Sequence, residues 1–208
     1  MTPYSARSFT HLLGTAGFSD KLLKDHFSLY EGYVTNTNKL LTQFEEDRKA
    51  ETPASPEYAE LKRRFGWEFN GMRLHEVYFE NIARNSRGGA SGDLKVQLGA
   101  DFGSYDKWMH DFKATGAIRG IGWAAVHWDP VGKRVMNSWI NEHDRGELAG
   151  CPVLLLMDVF EHAFMADYGT RRADYIEAFF AAIDWDRVGA RFEAARRMEP
   201  VGSLSARG

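Results

Sequence analysis

VLLLMDVFEHAFMADY, running from Val153 to Tyr168, delivers Asp158 and His162 together into otherwise hydrophobic surroundings. A lone carboxylate in such a place is expensive unless something cationic meets it. A bound divalent metal is the economical partner, because carboxylate and imidazole both ligate first-row ions and a buried negative charge beside such an ion becomes favourable. The first half of the stretch, Val153 to Val159, is a continuous run of strand length, apolar but for Asp158, which suits a buried strand.

Outward from this strand the period of the chain changes. Upstream, IGWAAVHWD and KRVMNSWI flank Asp129-Pro130-Val131-Gly132, a hairpin-turn composition, so the buried run is the third strand of a small antiparallel sheet. Downstream, RRADYIEAFFAAIDWDRVGARFEAARR reads as helix with a break near Asp184. Ahead of the sheet lie short helical pieces around Leu94 and from Ser104 to Thr115, preceded by the linker SRGGASG, Ser86 to Gly92. Before the linker, Ser19 is a candidate N-cap for a long helix to about Arg48, with Leu22, Leu23, Tyr30, Tyr33, Val34, Leu41 and Phe44 at helical spacing. ETPASP breaks it, and a second helix starts near Pro56, is interrupted around Gly66 and resumes to about Asn85. The expected class is α+β: an N-terminal helical hairpin domain, residues 1–88, then a C-terminal domain, residues 89–208, with helices and a small antiparallel sheet of about three strands.

The 208 residues, 44% hydrophobic, suffice for a sizeable core. A net charge of -3 and no basic stripe with interleaved aromatics argue against nucleic acid as partner. Arg63-Arg64 and Arg196-Arg197 read as solvated helix faces. No stretch has the length of a membrane span, and MTPYSARSFTHLLG has no secretory signature, so the expected location is the cytoplasm. The single cysteine, Cys151, excludes an intrachain disulfide and reads as core filler.

Of seven histidines, His75 sits on an apolar face with Met72, Leu74, Tyr78, Phe79 and Ile82. His26 lies seven residues before Tyr33, about 20° from it around a regular helix. With Asp158 and His162 they make a set of three histidines and one carboxylate drawn from both halves of the chain. Taken singly, a histidine on such a face is more often a satisfied core residue than a ligand.

HFSLYEGYVTNTNKL in the first helix, FNGMRLHEVYFENI in the second, GIGW at Gly120 to Trp123, DVFEHAFM from Asp158 and the tail RRADYIEAFFAAIDW resemble, in that order, the iron/manganese superoxide dismutase family. The family's Asp-Val-Trp-Glu-His-Ala-Tyr-Tyr stands where this chain has DVFEHAFM. The resemblance implies disproportionation of superoxide to dioxygen and hydrogen peroxide. It implies one iron or manganese ion per subunit, bound by His26, His75, Asp158 and His162. Three imidazoles and one carboxylate leave a fifth position open or solvent-occupied. Hydrogen bonds to that solvent set the metal's potential. Tyr33 is then the gateway tyrosine and Trp123 the pocket tryptophan. His143, fifteen residues ahead of Asp158, takes the place of the glutamine that contacts the solvent, with Glu142 the fallback. Arg172 corresponds to the arginine that draws the anion in, and Glu161 to the glutamate that reaches the partner subunit's ligand histidine. A homodimer is implied, a homotetramer being the alternative. His11, His110 and His127 match no ligand position and read as structural.

The chain departs from that pattern in several places. The other usual site of the glutamine, four residues before His75, is Gly71. Family members space the first ligand and the gateway tyrosine by eight residues, whereas His26 to Tyr33 is seven, which implies a first helix without a π-bulge. An ungapped alignment puts Asp25 at the ligand position, off the face shared by His26 and Tyr33. Met165 replaces a tyrosine whose usual partner, a gateway histidine, gives way to Leu29 or Tyr30. Phe160 in place of tryptophan and Ala125 in place of an aromatic imply a roomier pocket. The competing readings are a non-catalytic metal-binding or structural relative and a different mononuclear iron oxidoreductase. Gly71 points to manganese and His143 to iron or metal-flexible enzymes, so the metal stays open.

Overall fold

The computed structural model describes residues 2–51, 55–86 and 88–198. Residues 52–54 of the expected break after the first helix, and Arg87 of the linker, lie outside the described residues. Helix α1, Asp20–Lys49, starts where the Ser19 hydroxyl accepts from the Leu22 amide at 3.0 Å. It runs to Lys49 as α-helix with no π turn, which fits the seven-residue spacing of His26 and Tyr33. Helix α2, Pro56–Glu80, is capped in the same way by Ser55, with Pro56 in the first turn where its missing N–H costs nothing. The two helices pack along their length and bury Leu22, Leu23, Tyr30, Met72, Tyr78 and Phe79 between them and the rest of the core.

Two expectations for α2 are corrected. The helix is continuous through Gly66, because a single glycine inside a helix costs only about 1 kcal/mol, which the packing of a helix this long outweighs. It also ends at Glu80 rather than near Asn85. There Ala83 N–H donates to the Ala182 carbonyl at 2.8 Å and Asp184 N–H donates to the Asn81 carbonyl at 2.7 Å, so the chain leaves the helix to form a bridge with a distant segment.

The C-terminal part begins with α3, Gly92–Phe102, and α4, Tyr105–Gly116. A three-stranded antiparallel sheet follows, with β1, Gly122–Asp129, between β2, Arg134–Asn141, and β3, Val153–Asp158. This is the expected α+β arrangement. All of β1 but its last residue is buried, as a central strand covered on both faces requires. The register sets Trp123 opposite both Ile140 and Asp158. Beyond β3 come a 3₁₀ turn, Glu161–Ala163, then α5, Met165–Tyr168, α6, Arg172–Ala182, and α7, Trp185–Arg196, with α6 and α7 separated at Asp184 as the sequence indicated. Arg191 of α7 ties these layers together: it donates to Asn81 Oδ1 and the Leu154 carbonyl, and pairs with Glu80 at 2.6 Å. Among the described residues no helix is long and apolar enough to cross a membrane.

Candidate metal centre

His26 projects from α1, His75 from α2, Asp158 from the end of β3 and His162 from the 3₁₀ turn, and their four donor atoms lie within 4.8 Å of one another. Asp158 Oδ2 is the common point, 3.2 Å from Nε2 of His26, 3.2 Å from Nε2 of His162 and 3.7 Å from Nε2 of His75. Donors about 2.1 Å from one shared ion stand about 3.0 Å apart at right angles and about 3.6 Å apart at trigonal angles, so the three distances to Asp158 suit donors that share a single metal.

The surroundings fix which atoms face the centre. His75 Nδ1–H donates to the Gly71 carbonyl at 2.6 Å, one helical turn back, which leaves Nε2 as a bare lone pair. That Nε2 is fully buried and has no hydrogen-bond partner. An orphaned lone pair in the core is costly, and a cation beside it removes the cost. The second Asp158 oxygen accepts from the Phe160 amide at 2.8 Å, while the Asp158 carbonyl accepts from Tyr175 Oη at 2.6 Å. Carboxylate and backbone are thus both held.

Burial pushes His26 below the ordinary histidine range, against its hydrogen bond to the Asp158 carboxylate, and pushes His75 well below it, helped by the nearby His26. Burial alone raises the Asp158 carboxyl, but His162 and His26 outweigh it and hold the group below the usual carboxylate range. His26 and His75 favouring the neutral form beside an ionised Asp158 suit metal binding, which requires deprotonated ligands.

A second chain of side chains borders the donors. Trp123 Nε1–H donates to His143 Nδ1 at 3.1 Å, so the proton of the neutral imidazole lies on Nε2, which meets Tyr33 Oη at 2.7 Å. His143 is fully buried, and burial lowers it to about 4. The Tyr33 hydroxyl is pushed up to about 12, chiefly by burial and then by Asp158. Its ring stacks on His75 with centroids 5.2 Å apart. Phe160 lies against His143 at 4.7 Å.

Not every residue singled out from the sequence joins this group. Arg172 donates to the carbonyls of Ile118 at 2.7 Å and Gly120 at 2.9 Å in the loop before β1 and lies over the Phe164 ring at 5.2 Å, so none of these partners is a donor of the cluster. Glu161 is exposed on the 3₁₀ turn, where its carbonyl accepts from the Phe164 amide and its side chain has no partner among the described residues. Asp25 is exposed and pairs with Lys21, on a different face from His26. Tyr30 is buried and donates to Glu76, so Leu29, 43% exposed, holds the outward position, as does Met165 at 47%. His11 and His110 are exposed, while His127 is buried with Nδ1 on the Cys151 carbonyl. Cys151 is only partly buried, so it does not fill the core. Two neighbours of His143 escaped the sequence reading: Trp67, edge-on to its ring at 4.8 Å, and Asn70, which donates to its carbonyl at 2.9 Å. Neither carries a sequence signal, since both act on a turn more than seventy positions away.

Residues 90–191 match the family model for iron/manganese superoxide dismutases, C-terminal domain. The superoxide dismutase [Fe] of Cupriavidus metallidurans is 36% identical over 184 residues, 87% of this chain and 91% of that protein. The chain belongs to the iron/manganese superoxide dismutase family. The superoxide dismutase [Fe] of Aquifex aeolicus is likewise 36% identical over 186 residues, 87% of each chain. The superoxide dismutase [Mn] of Haloarcula marismortui is 40% identical over a shorter span, 59% of this chain and 60% of the relative. Similarity to superoxide dismutases named for either metal leaves the choice between iron and manganese where the sequence left it.

Within that family the packing around Gly71 explains one departure. A Cβ at position 71 would stand 2.7 Å from Tyr33 Cε1 and closer still to Cδ1. The Tyr33 ring lies flush on the α2 backbone, and a glutamine side chain has no room there.

Proposed function

We propose that this chain is a superoxide dismutase, converting two superoxide anions and two protons into one dioxygen and one hydrogen peroxide. The observation that carries the reading is the convergence of His26, His75, His162 and Asp158, with one buried lone pair unpartnered, in a chain of this family. The three imidazoles would hold the ion through Nε2 and Asp158 through Oδ2. When bound, iron or manganese supplies a centre that alternates between its +3 and +2 states, taking an electron from one superoxide and passing it to the next.

The protein's own part is to exclude bulk water and manage protons. Tyr33 stays protonated across the physiological range, and since His143 donates to its oxygen, its own proton is free to be offered. The bond from Trp123 keeps His143 in the tautomer that can donate. We assign to Tyr33, His143 and Trp123 the relay that holds and moves protons beside the donors. To Arg172 we assign attraction of the anion, through its charge near the loop before β1.

We further propose a homodimer, with the exposed Glu161 reaching the partner subunit's ligand histidine and the exposed Leu29 and Met165 near that face. A division into domains at residues 88 and 89 and an antioxidant role in the cytoplasm belong to the same reading, the latter supported by a lone cysteine. Elemental analysis of the purified protein, with superoxide consumption by its iron and manganese forms, tests the function. Faster consumption than the free ion supports it; one ion per chain with no such excess for either metal overturns it in favour of a non-catalytic relative.

A further inference from the structure

His143 is fully buried, yet the backbone that carries it is a tight turn between the exposed residues Asp144 and Arg145 and the end of β2. Asn141 N–H donates to the Arg145 carbonyl at 2.7 Å, closing the turn across His143, and Glu142 N–H donates to the Ile121 carbonyl at 3.2 Å. Glu142 has φ of 52°, a left-handed conformation that a residue with a side chain adopts only when its surroundings impose it. A surface turn under strain needs a second anchor if the imidazole on it is to keep one place.

That anchor comes from α2. Asn70 Nδ2 donates one proton to the His143 carbonyl at 2.9 Å and the other to Glu147 Oε2 at 3.2 Å. Both amide protons are used, and flipping the carboxamide would set its oxygen against a carbonyl and a carboxylate, so the orientation is fixed. Asn70 is five residues before His75 on the same helix, about 140° around it, so it faces the turn and not the donors. Its neighbour Gly71 seats the Tyr33 ring and accepts from His75. One short segment of α2 therefore sets the height of His75, Tyr33 and the His143 turn together.

We infer that Asn70 is a positioning residue for the reaction: by donating to the His143 carbonyl it holds the His143 imidazole between Trp123 and Tyr33. The inference rests on the superoxide dismutase reading for its effect on turnover, but its geometric content is read independently. The first readout is the Trp123 indole N–H resonance in the full-length metal-free protein, identified with Trp123→Phe, because that proton bonds to His143 Nδ1. Asn70→Asp keeps the shape and turns both donors into acceptors. We expect the resonance to move upfield and, in the loaded protein, kcat to fall about tenfold or more with metal content unchanged. Asn70→Ala, which lets water reach the turn, is expected to fold and to shift both readouts in the same direction by less.

Glu147→Gln alone is expected to leave both at wild-type values. In Asn70→Asp/Glu147→Gln the repulsion between carboxylates is gone while the His143 carbonyl still faces an acceptor, so the Asn70→Asp behaviour persists. Wild-type readouts in both Asn70 variants, or full recovery in the double variant, overturn the inference. If the wild-type protein consumes no superoxide with either metal, the functional reading fails, and the indole resonance still decides whether Asn70 places His143.

Discussion

At position 71 one absent methyl group decides where the Tyr33 ring can lie. The seven-residue spacing turns His26 and Tyr33 to the same side of α1, and the Tyr33 ring then rests on the α2 backbone, stacked on His75 and bonded to His143. Gly71→Ala puts a carbon inside that ring's space, so Tyr33 has to move away from His143. The overpacking costs about 1–3 kcal/mol, offset by about 1 kcal/mol of better helix propensity. The same substitution at Gly66, where nothing lies within 4 Å, carries only the propensity gain and should stabilise by about 1 kcal/mol. On this account urea unfolding finds Gly71→Ala between unchanged and about 2 kcal/mol less stable and Gly66→Ala more stable, with superoxide turnover reduced only in Gly71→Ala. Shifts of the same sign would show that Tyr33 yields freely and that Gly71 sets nothing.

Among the elements, those whose pattern is local were legible in the sequence. The cap at Ser19, the start of α2 near Pro56, the three strands and the break at Asp184 are written in residues next to each other. The end of α2 was not, because Asn81 and Ala83 exchange helix for bonds to Asp184 and Ala182, a hundred positions on. The group of four donors was legible through the order of motifs that resembles the family, since a histidine on an apolar face, taken singly, is more often a core residue. Asn70 and Trp67 were not, since a polar or aromatic residue on a helix flank has no meaning until the turn it touches is placed.

Strand β1 holds a further buried histidine with a consequence for acid stability. His127 donates from Nδ1 to the Cys151 carbonyl, its Nε2 has no partner, and burial lowers its pKa against that hydrogen bond. The unfolded chain therefore takes up a proton at higher pH than the folded one. The stability gained by keeping His127 neutral is complete above its unfolded pKa, about 6.5, and is lost as pH falls below it. His127→Gln keeps a donor for Cys151 and removes the titration. The fall in urea midpoint between about pH 7.5 and pH 5 is expected to be shallower in the variant; an unchanged slope would place the acid sensitivity elsewhere.

On the scale of the whole molecule, the donors come from two helices, a strand and a turn on either side of the linker, so one bound ion ties the N-terminal hairpin to the C-terminal part. The unfolded chain holds no such arrangement, and the ion therefore binds the folded state far better than the unfolded one. Free ion at about a hundred times its dissociation constant then adds about 2.7 kcal/mol. For a chain of this length that corresponds to about 5–10 °C in melting temperature. Calorimetry of the protein after chelation, and again after reloading with manganese or iron, reads the increment directly. Asp158→Asn keeps the shape of the side chain but removes the one negative charge among the four donors, and with it most of the affinity. The variant's melting temperature is expected to respond little to either metal. A loaded wild-type protein that melts where the chelated one does would mean that the ion sits outside these four side chains, since an ion gripped by both halves of the fold cannot leave its stability unchanged.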